Sequence, residues 1–283
     1  MSPNDRYAIA EELLKSFTRS KTRTQIMLSL LEGVKSSSDL SEETGTRNTT
    51  ILHAIKDMRD SEIITKTEGG YGLTNVGKMQ AYLLDDMVNF IQIMEKYRNF
   101  WMNHDITGIP PELIPRMGML AQSEIIEGTL ADILKSHGHF MSELGKAKRI
   151  QGVSPIIVPG YAEVIATALM NGAKVDLILT KSILDIVAED CPDLLNELLK
   201  LETFRLYRID TDVKVAFTVT DRMFSLGLFR MEGGYDVGTD LNCIGDSARE
   251  WGGELFEYYL NKSEQIKRIA THSDASCGVS NQT

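Results

Sequence analysis

Apolar residues recur at helical spacing through the first third of the chain. Ile9, Leu13, Leu14 and Phe17 predict a short amphipathic helix over about residues 7–17. Ile26, Leu28, Leu30 and Leu31 predict a second over about 22–32, with Gly33 as its stop. Ser36-Ser37-Ser38 ahead of an acidic turn predicts a short third helix capped by Ser37 or Ser38 and ended by Gly45. A fourth helix opens at Thr46-Arg47-Asn48-Thr49-Thr50, with Ile51, Leu52, Ile55 and Met58 as its apolar stripe. Ile63–Glu68, Gly69-Gly70 and Tyr71–Thr74 then read as a hairpin, because β-branched residues flank a Gly-Gly turn. From Asn75 a long helix is predicted to about Asn103, carrying Met79, Leu83, Leu84, Met87, Phe90, Ile91, Met94 and Tyr97.

Ile109-Pro110-Pro111 and Pro115 interrupt that pattern, so a second domain is expected after about residue 103. It opens with helical material over 112–120 and a mixed stretch to Leu144. An alternating section follows: strands over 149–153 and 174–179, with helices over 161–170, 182–188 and 192–200. Three strands then crowd together over 204–209, 213–219 and 223–229, and a last helix spans 245–260. The polar, Ser-rich stretch from Ala270 predicts a frayed tail. The expected class is α+β, divided as 1–78, a linker or dimerisation helix 79–103, an α/β regulatory domain 104–262, and a tail 263–283.

Composition is that of a globular protein: of 283 residues, 42% are hydrophobic and 25% charged. No apolar run reaches the ~18–20 residues that span a bilayer, and the acidic N-terminal segment does not read as a secretory signal. Three cysteines (Cys191, Cys243 and Cys277) show neither a metal spacing nor a disulfide framework, which points to a reducing cytoplasm. The net charge of −10 is unevenly placed. Residues 1–80 hold 11 basic and 11 acidic side chains, so the rest of the chain carries the whole excess. Lys15, Arg19, Lys21 and Arg23 form a basic run with no acid between them. Local charge facing phosphates counts for more than the total.

Three helices followed by a glycine-tipped hairpin is the order of a winged helix-turn-helix. If Ile51, Ile55 and Met58 are buried, the fourth helix offers Arg47, Asn48, Thr49, Thr50, His53 and Lys56 to a DNA groove. Arg and Asn pair bidentately with guanine and adenine edges, while Thr and Lys suit phosphates. Lys66, Gly69 and Gly70 at the wing are expected at the DNA backbone or minor groove. Double-stranded DNA is thus the expected partner, together with a second copy of the chain joined through the long helix. The alternative for the same module is an adaptor that binds protein.

The segments Ser38-Asp39-Leu40, Thr49 through Lys56, and Tyr71-Gly72-Leu73-Thr74-Asn75-Val76-Gly77-Lys78 resemble archaeal winged-helix transcriptional regulators. Residues 100–105, Gly152-Val153-Ser154-Pro155, Thr220-Asp221 and the stretch from Trp251 to Tyr259 resemble methanogen regulators whose middle domain is named for a methanogenesis regulatory protein. That resemblance covers nearly the whole chain and implies a transcription factor. It assigns no effector.

The strand–helix order of the C-terminal part also resembles an inactive phospholipase-D-like half. With Asp221 as the last residue of a His-x-Lys-x-x-x-x-Asp motif, the His position falls on Lys214 and the Lys position on Ala216. Without that nucleophile and lysine a phosphodiesterase is the lesser alternative, and no enzyme activity, cofactor or metal is expected. His137-Gly138-His139 reads as a surface loop. Ser154, Tyr161 and Asp221 are the candidate ligand-binding residues for a small-molecule effector, since ligands in open α/β sheets favour the carboxyl ends of strands. Ser154 reads more readily as a cap in a structural turn, and Asp221 more simply as a strand-end turn residue. Trp251, Phe256, Tyr258 and Tyr259 are expected in the core or an interface.

Overall fold

The computed structural model describes residues 2–127, 135–158 and 160–269. The chain divides into two compact units, Met1–Asn89 and Phe90–Thr283, so the boundary falls inside the expected linker helix and not after it.

The first unit packs four helices against a hairpin. Helix α1 (Pro3–Arg19) starts in a capping box between Ser2 and Asp5, four residues before the apolar pattern begins. Helix α2 (Lys21–Ser29) follows, then α3 (Ser37–Thr44). The cap of α3 is Ser36, not Ser37 or Ser38: its hydroxyl accepts the Asp39 N–H at 3.2 Å while the Asp39 carboxylate accepts the Ser36 N–H at 2.9 Å. Such reciprocal bonds satisfy two N–H groups that no helical carbonyl reaches. Gly45 ends α3 in the left-handed region, at φ 64°. Helix α4 (Asn48–Asp60) buries Ile51, Ala54, Ile55 and Met58 against Ile26, Leu30 and Leu40. Leu52, expected in that stripe, is 44% exposed, because it lies about 100° around the helix from Ile51.

The wing is β1 (Ile64–Thr67) paired antiparallel with β2 (Gly70–Leu73). Lys35 adds a backbone bridge to Tyr71, exchanging N–H···O bonds of 3.1 and 2.9 Å. Helix α5 (Asn75–Lys96) begins where the Thr74 hydroxyl accepts the Gly77 N–H at 3.0 Å and donates to the Glu62 carbonyl at 2.7 Å. A side chain at Gly77 would strike the Ile63 carbonyl, its Cβ lying 1.9 Å from the oxygen. The Thr-x-x-Gly spacing is therefore the joint that locks α5 to the wing.

The long helix stops at Lys96 instead of reaching Asn103. Tyr97 leaves helical geometry (φ −120°, ψ 33°), and a separate α6 (Arg98–Asn103) follows. Two side-chain bonds accompany the break: the Trp101 indole donates to the Ile93 carbonyl at 3.0 Å, and the Tyr97 hydroxyl donates to the Ser123 carbonyl at 2.7 Å.

The second unit is a mixed sheet. Strands β3 (His104–Asp105) and β4 (Glu124–Glu127) flank a 3-10 helix (Ile114–Leu120). Helix α7 (Lys135–Leu144), strand β5 (Arg149–Ser154), α8 (Tyr161–Met170), β6 (Lys174–Thr180), α9 (Lys181–Asp190), α10 (Pro192–Leu198) and β7 (Phe204–Ile209) follow. The chain then runs through β8 (Val215–Thr220), β9 (Phe224–Arg230), β10 (Thr239–Cys243), α11 (Asp246–Leu260) and β11 (Glu264–Ile266). The strand order is β11-β7-β6-β5-β8-β9-β10-β4, with β3 on β9. Strands β5, β6 and β7 are parallel, and the others join antiparallel.

Residues 137–139, expected in a surface loop, lie in α7, while the side chains of His137 and His139 fall outside the described residues. The expected frayed tail from Ala270 and Cys277 also fall outside them. Trp251, Phe256 and Tyr259 are buried in the core beneath α11, joined by the half-buried Tyr258. No helix among the described residues is long and apolar enough to cross a membrane.

Candidate nucleic-acid interface and ligand cavity

In the first unit α4 carries the expected outer face. Arg47 is the N-cap, and Arg47, Asn48, Thr49, Thr50, His53 and Lys56 are all exposed. Thr49, His53 and Lys56, four and three residues apart, lie opposite the buried stripe. Lys66 is exposed on β1, and among the described residues Arg47, Lys56 and Lys66 enter no ion pair. Gly69 sits at the wing tip at φ 87°. Gly70 has a packing role instead: a Cβ there would lie 2.2 Å from the Lys35 carbonyl oxygen. The basic run beside α4 is largely paired with acids. Lys15 meets Glu11 at 2.7 Å, Arg19 meets Glu12 at 3.4 Å and Arg23 meets Asp57 at 2.6 Å. These exposed pairs are weak enough for a phosphate to displace.

In the second unit the strand pattern gives the sheet two unlike faces. Along β8, β9 and β10 the large apolar residues, Phe217, Phe224, Leu226 and Leu241 among them, point to the side covered by α11. The alternate positions are small or polar. Register places Gly152 opposite Thr218, Thr218 opposite Ser225, and Ala216 opposite Gly227. Above this floor lies a cavity of about 170 Å3, walled by Tyr161, Phe140 and Tyr235 and edged by Ser154 and Asp240.

The glycines make room for the two tyrosines. A Cβ on Gly152 would stand 3.1 Å from the Tyr161 hydroxyl oxygen, and one on Gly227 would stand 1.9 Å from that of Tyr235. Burial pushes the Tyr161 hydroxyl up to about 12, against a hydrogen bond with Thr218. Burial likewise drives the Asp240 carboxyl up to about 6; the Ser225 hydroxyl, 2.9 Å from both of its oxygens, and Asn242 offset this only partly.

Ser154 and Tyr161 both line this cavity, although the Ser154 hydroxyl is engaged in a turn with the Ile156 carbonyl at 2.7 Å. Asp221 does not join them. Because β8 runs antiparallel to β5, the residue after Thr220 lies at the opening end of β5, away from Ser154. There its carboxylate accepts the N–H groups of Lys148 and Arg149 at 2.8 and 3.2 Å, the structural role that a strand-end turn residue fills. The sequence reading missed Thr218, Ser225, Tyr235 and Asp240. The signal for Thr218 and Ser225 was the period-two alternation of Val215–Thr220 and Phe224–Leu228, which marks one apolar and one small or polar face.

At the positions that matter for phosphodiester chemistry, Lys214 pairs with Asp212 at 3.1 Å and Ala216 lies on the cavity floor. Among the described residues no three His, Cys, Asp or Glu side chains are grouped to hold a metal ion.

The chain thus carries a winged helix and a mixed-sheet domain with a cavity of about 170 Å3. Two family models match: the N-terminal domain of methanogenesis regulatory protein FilR1 over residues 11–92, and its middle domain over residues 133–262. The methanogenesis regulatory protein FilR1 of Methanothrix harundinacea (strain 6Ac) is 39% identical over 257 residues, which is 89% of this chain and 58% of that protein's length. The chain belongs to the FilR1 family of archaeal regulators. Among solved structures, the archaeal chromatin protein TrmBL2 is 16% identical and aligns over 93% of this chain and all of its own, at a TM-score of 0.42. An O-methyltransferase of Nostoc punctiforme PCC 73102 aligns over 67% of this chain and 60% of its own at a TM-score of 0.24 and 12% identity.

Proposed function

We propose that the protein is a sequence-specific, DNA-binding transcriptional regulator, acting as a homodimer and sensing a small effector through its second unit. The observation that carries this reading is the outer face of α4, where exposed Arg47, Asn48, Thr49, Thr50, His53 and Lys56 stand clear of the core that the opposite face builds. Membership of a regulatory family supports it, although the chain spans 58% of its curated relative. The exposed Val76, Met79, Tyr82 and Leu83 on α5 support a second copy as the partner of that helix. The cavity beside Ser154 and Tyr161 supports effector binding, with occupancy biasing DNA affinity. The second unit acts as a non-catalytic binding domain related to a phospholipase-D-like half, and the protein works in the cytoplasm.

Selection of binding sites from a random duplex pool tests this reading. It predicts a pseudo-palindrome whose half-sites lie about 34 Å, one DNA turn, apart. Recovery of a single half-site, with a monomer in sedimentation, contradicts the dimer. Recovery of no site, together with salt-insensitive binding to a protein, favours the adaptor.

A further inference from the structure

Two acids four residues apart, Asp236 and Asp240, are treated very differently by the fold. Burial alone pushes the Asp236 carboxyl up, but Arg230, His104 and the Gly238 N–H together hold it below the ordinary range. The distances are 3.0 Å to Arg230, 3.1 Å to His104 and 3.1 Å to the Gly238 nitrogen. Asp240 has no such partners. Its carboxylate receives the Ser225 hydroxyl and a long 3.5 Å contact from Asn242, and the residue lines the cavity. A half-buried carboxylate without a cation is costly unless something arrives to pair with it.

The rest of the lining narrows what that is. Among the described residues that border the cavity there is no Lys, Arg or His, so nothing there would neutralise a phosphate, sulfonate or carboxylate. Two hydroxyls that would recognise a sugar are already engaged, Ser154 with the Ile156 carbonyl and Ser225 with Asp240. The walls are aromatic, with Phe140 and Tyr161 near-parallel at a centroid separation of 6.2 Å and Tyr235 opening on the same space. Aromatic faces attract cations and tolerate apolar bodies. A cavity of about 170 Å3 is close to the size of an engineered apolar cavity of about 150 Å3 that takes up benzene.

We propose that the cavity binds a small molecule with a protonated amine on an aromatic or compact aliphatic body, its ammonium seated against Asp240 and its body between Phe140, Tyr161 and Tyr235. This rests on the reading of the cavity as an effector site and adds the charge and class of the ligand.

Calorimetric or ligand-observed NMR titration of the full chain at pH 7.5 tests it with three probes of one skeleton: benzylamine, benzyl alcohol and benzoate. The amine is expected to bind at least about ten-fold tighter than the alcohol, and benzoate not at all up to about 10 mM. Asp240→Asn, close to isosteric, is expected to bring amine and alcohol within about three-fold of each other. Equal binding of amine and alcohol, a preference for benzoate, or an amine preference that survives in Asp240→Asn overturns the amine assignment. If the alcohol or benzoate binds without an amine preference, the cavity stands as a ligand site and only its assigned ligand class falls. If none of the three binds to the wild-type chain, both the assignment and the effector role of the cavity fall.

Discussion

The Tyr235 hydroxyl occupies the space that a side chain at Gly227 would need, at 1.9 Å from where its Cβ would stand. Tyr235 reaches this place from a turn made by Gly233 and Gly234, both in the left-handed region at φ 95° and 81°, and packs edge-on against Phe229 with ring centroids 5.6 Å apart. One wall of the cavity thus depends on the absence of a methyl group in β9. Gly227→Ala is expected to expel the ring at a cost of about 1–3 kcal/mol. In a Tyr235→Ala background the same substitution is expected to cost close to nothing. Urea unfolding of the four proteins measures this coupling, and additive losses would show that the two residues do not share the space.

Ser36 is the α3 cap, so Ser36→Ala is expected to lower stability by about 0.5–2 kcal/mol. Ser37→Ala and Ser38→Ala, inside the first turn, are expected to stay within about 0.5 kcal/mol of wild type. Denaturation midpoints followed by circular dichroism distinguish the three. An equal loss at Ser37 would return the cap to the position that the serine run first indicated.

Contacts to base edges and to phosphates leave different marks. Arg47→Ala and Asn48→Ala are each expected to cost about 1–3 kcal/mol of DNA binding and to relax base preference. Lys66→Ala is expected to weaken all sequences alike and to reduce the salt dependence. Competition assays against single-base variants of the selected site measure this, and uniform loss in all three mutants would remove base readout from the start of α4.

Asp240 sets a pH dependence of stability. Its carboxyl is raised from 3.8 to about 6, so folding disfavours its charged form. The groups facing it are Ser225 on β9, Asn242 on its own strand and the Tyr235 hydroxyl, with Glu124 of β4 paired opposite Asn242 at the exposed edge. None is a cation. A group raised in this way contributes its stability fully below about pH 4 and loses it as pH rises through about 6. Thermal midpoints of the ligand-free protein are therefore expected to carry a decline between pH 4 and 6 that Asp240→Asn removes. An unchanged profile in the mutant would mean that water already solvates this carboxylate.

The winged helix was legible because several local signals agree there. Helical spacing, the acidic turn before Gly45 and the Gly-Gly turn each fix an element without help from distant residues. Residues 161–170 and 204–209 were also legible at their observed ends, since Asn171-Gly172 and the apolar strand pattern mark them directly. Strands β3, β4, β10 and β11 were not. They are two to five residues long, and pairing with a neighbour, not their own composition, makes them strands. The break at Tyr97 was hidden because the apolar spacing runs on through Trp101, while the bonds to Ser123 and Ile93 that accompany it depend on tertiary packing. Asp221 was misplaced for the same reason: strand direction alone decides which end of the sheet it occupies.

DNA binding by α4 and its wing is tested by a gel shift of the full chain on its own upstream DNA across a salt series, with Arg47→Ala alongside. Binding is expected to weaken steeply as salt rises, to prefer that DNA over unrelated duplex, and to be lost in the mutant. Absence of binding at low salt, or binding that neither salt nor Arg47→Ala alters, would contradict it.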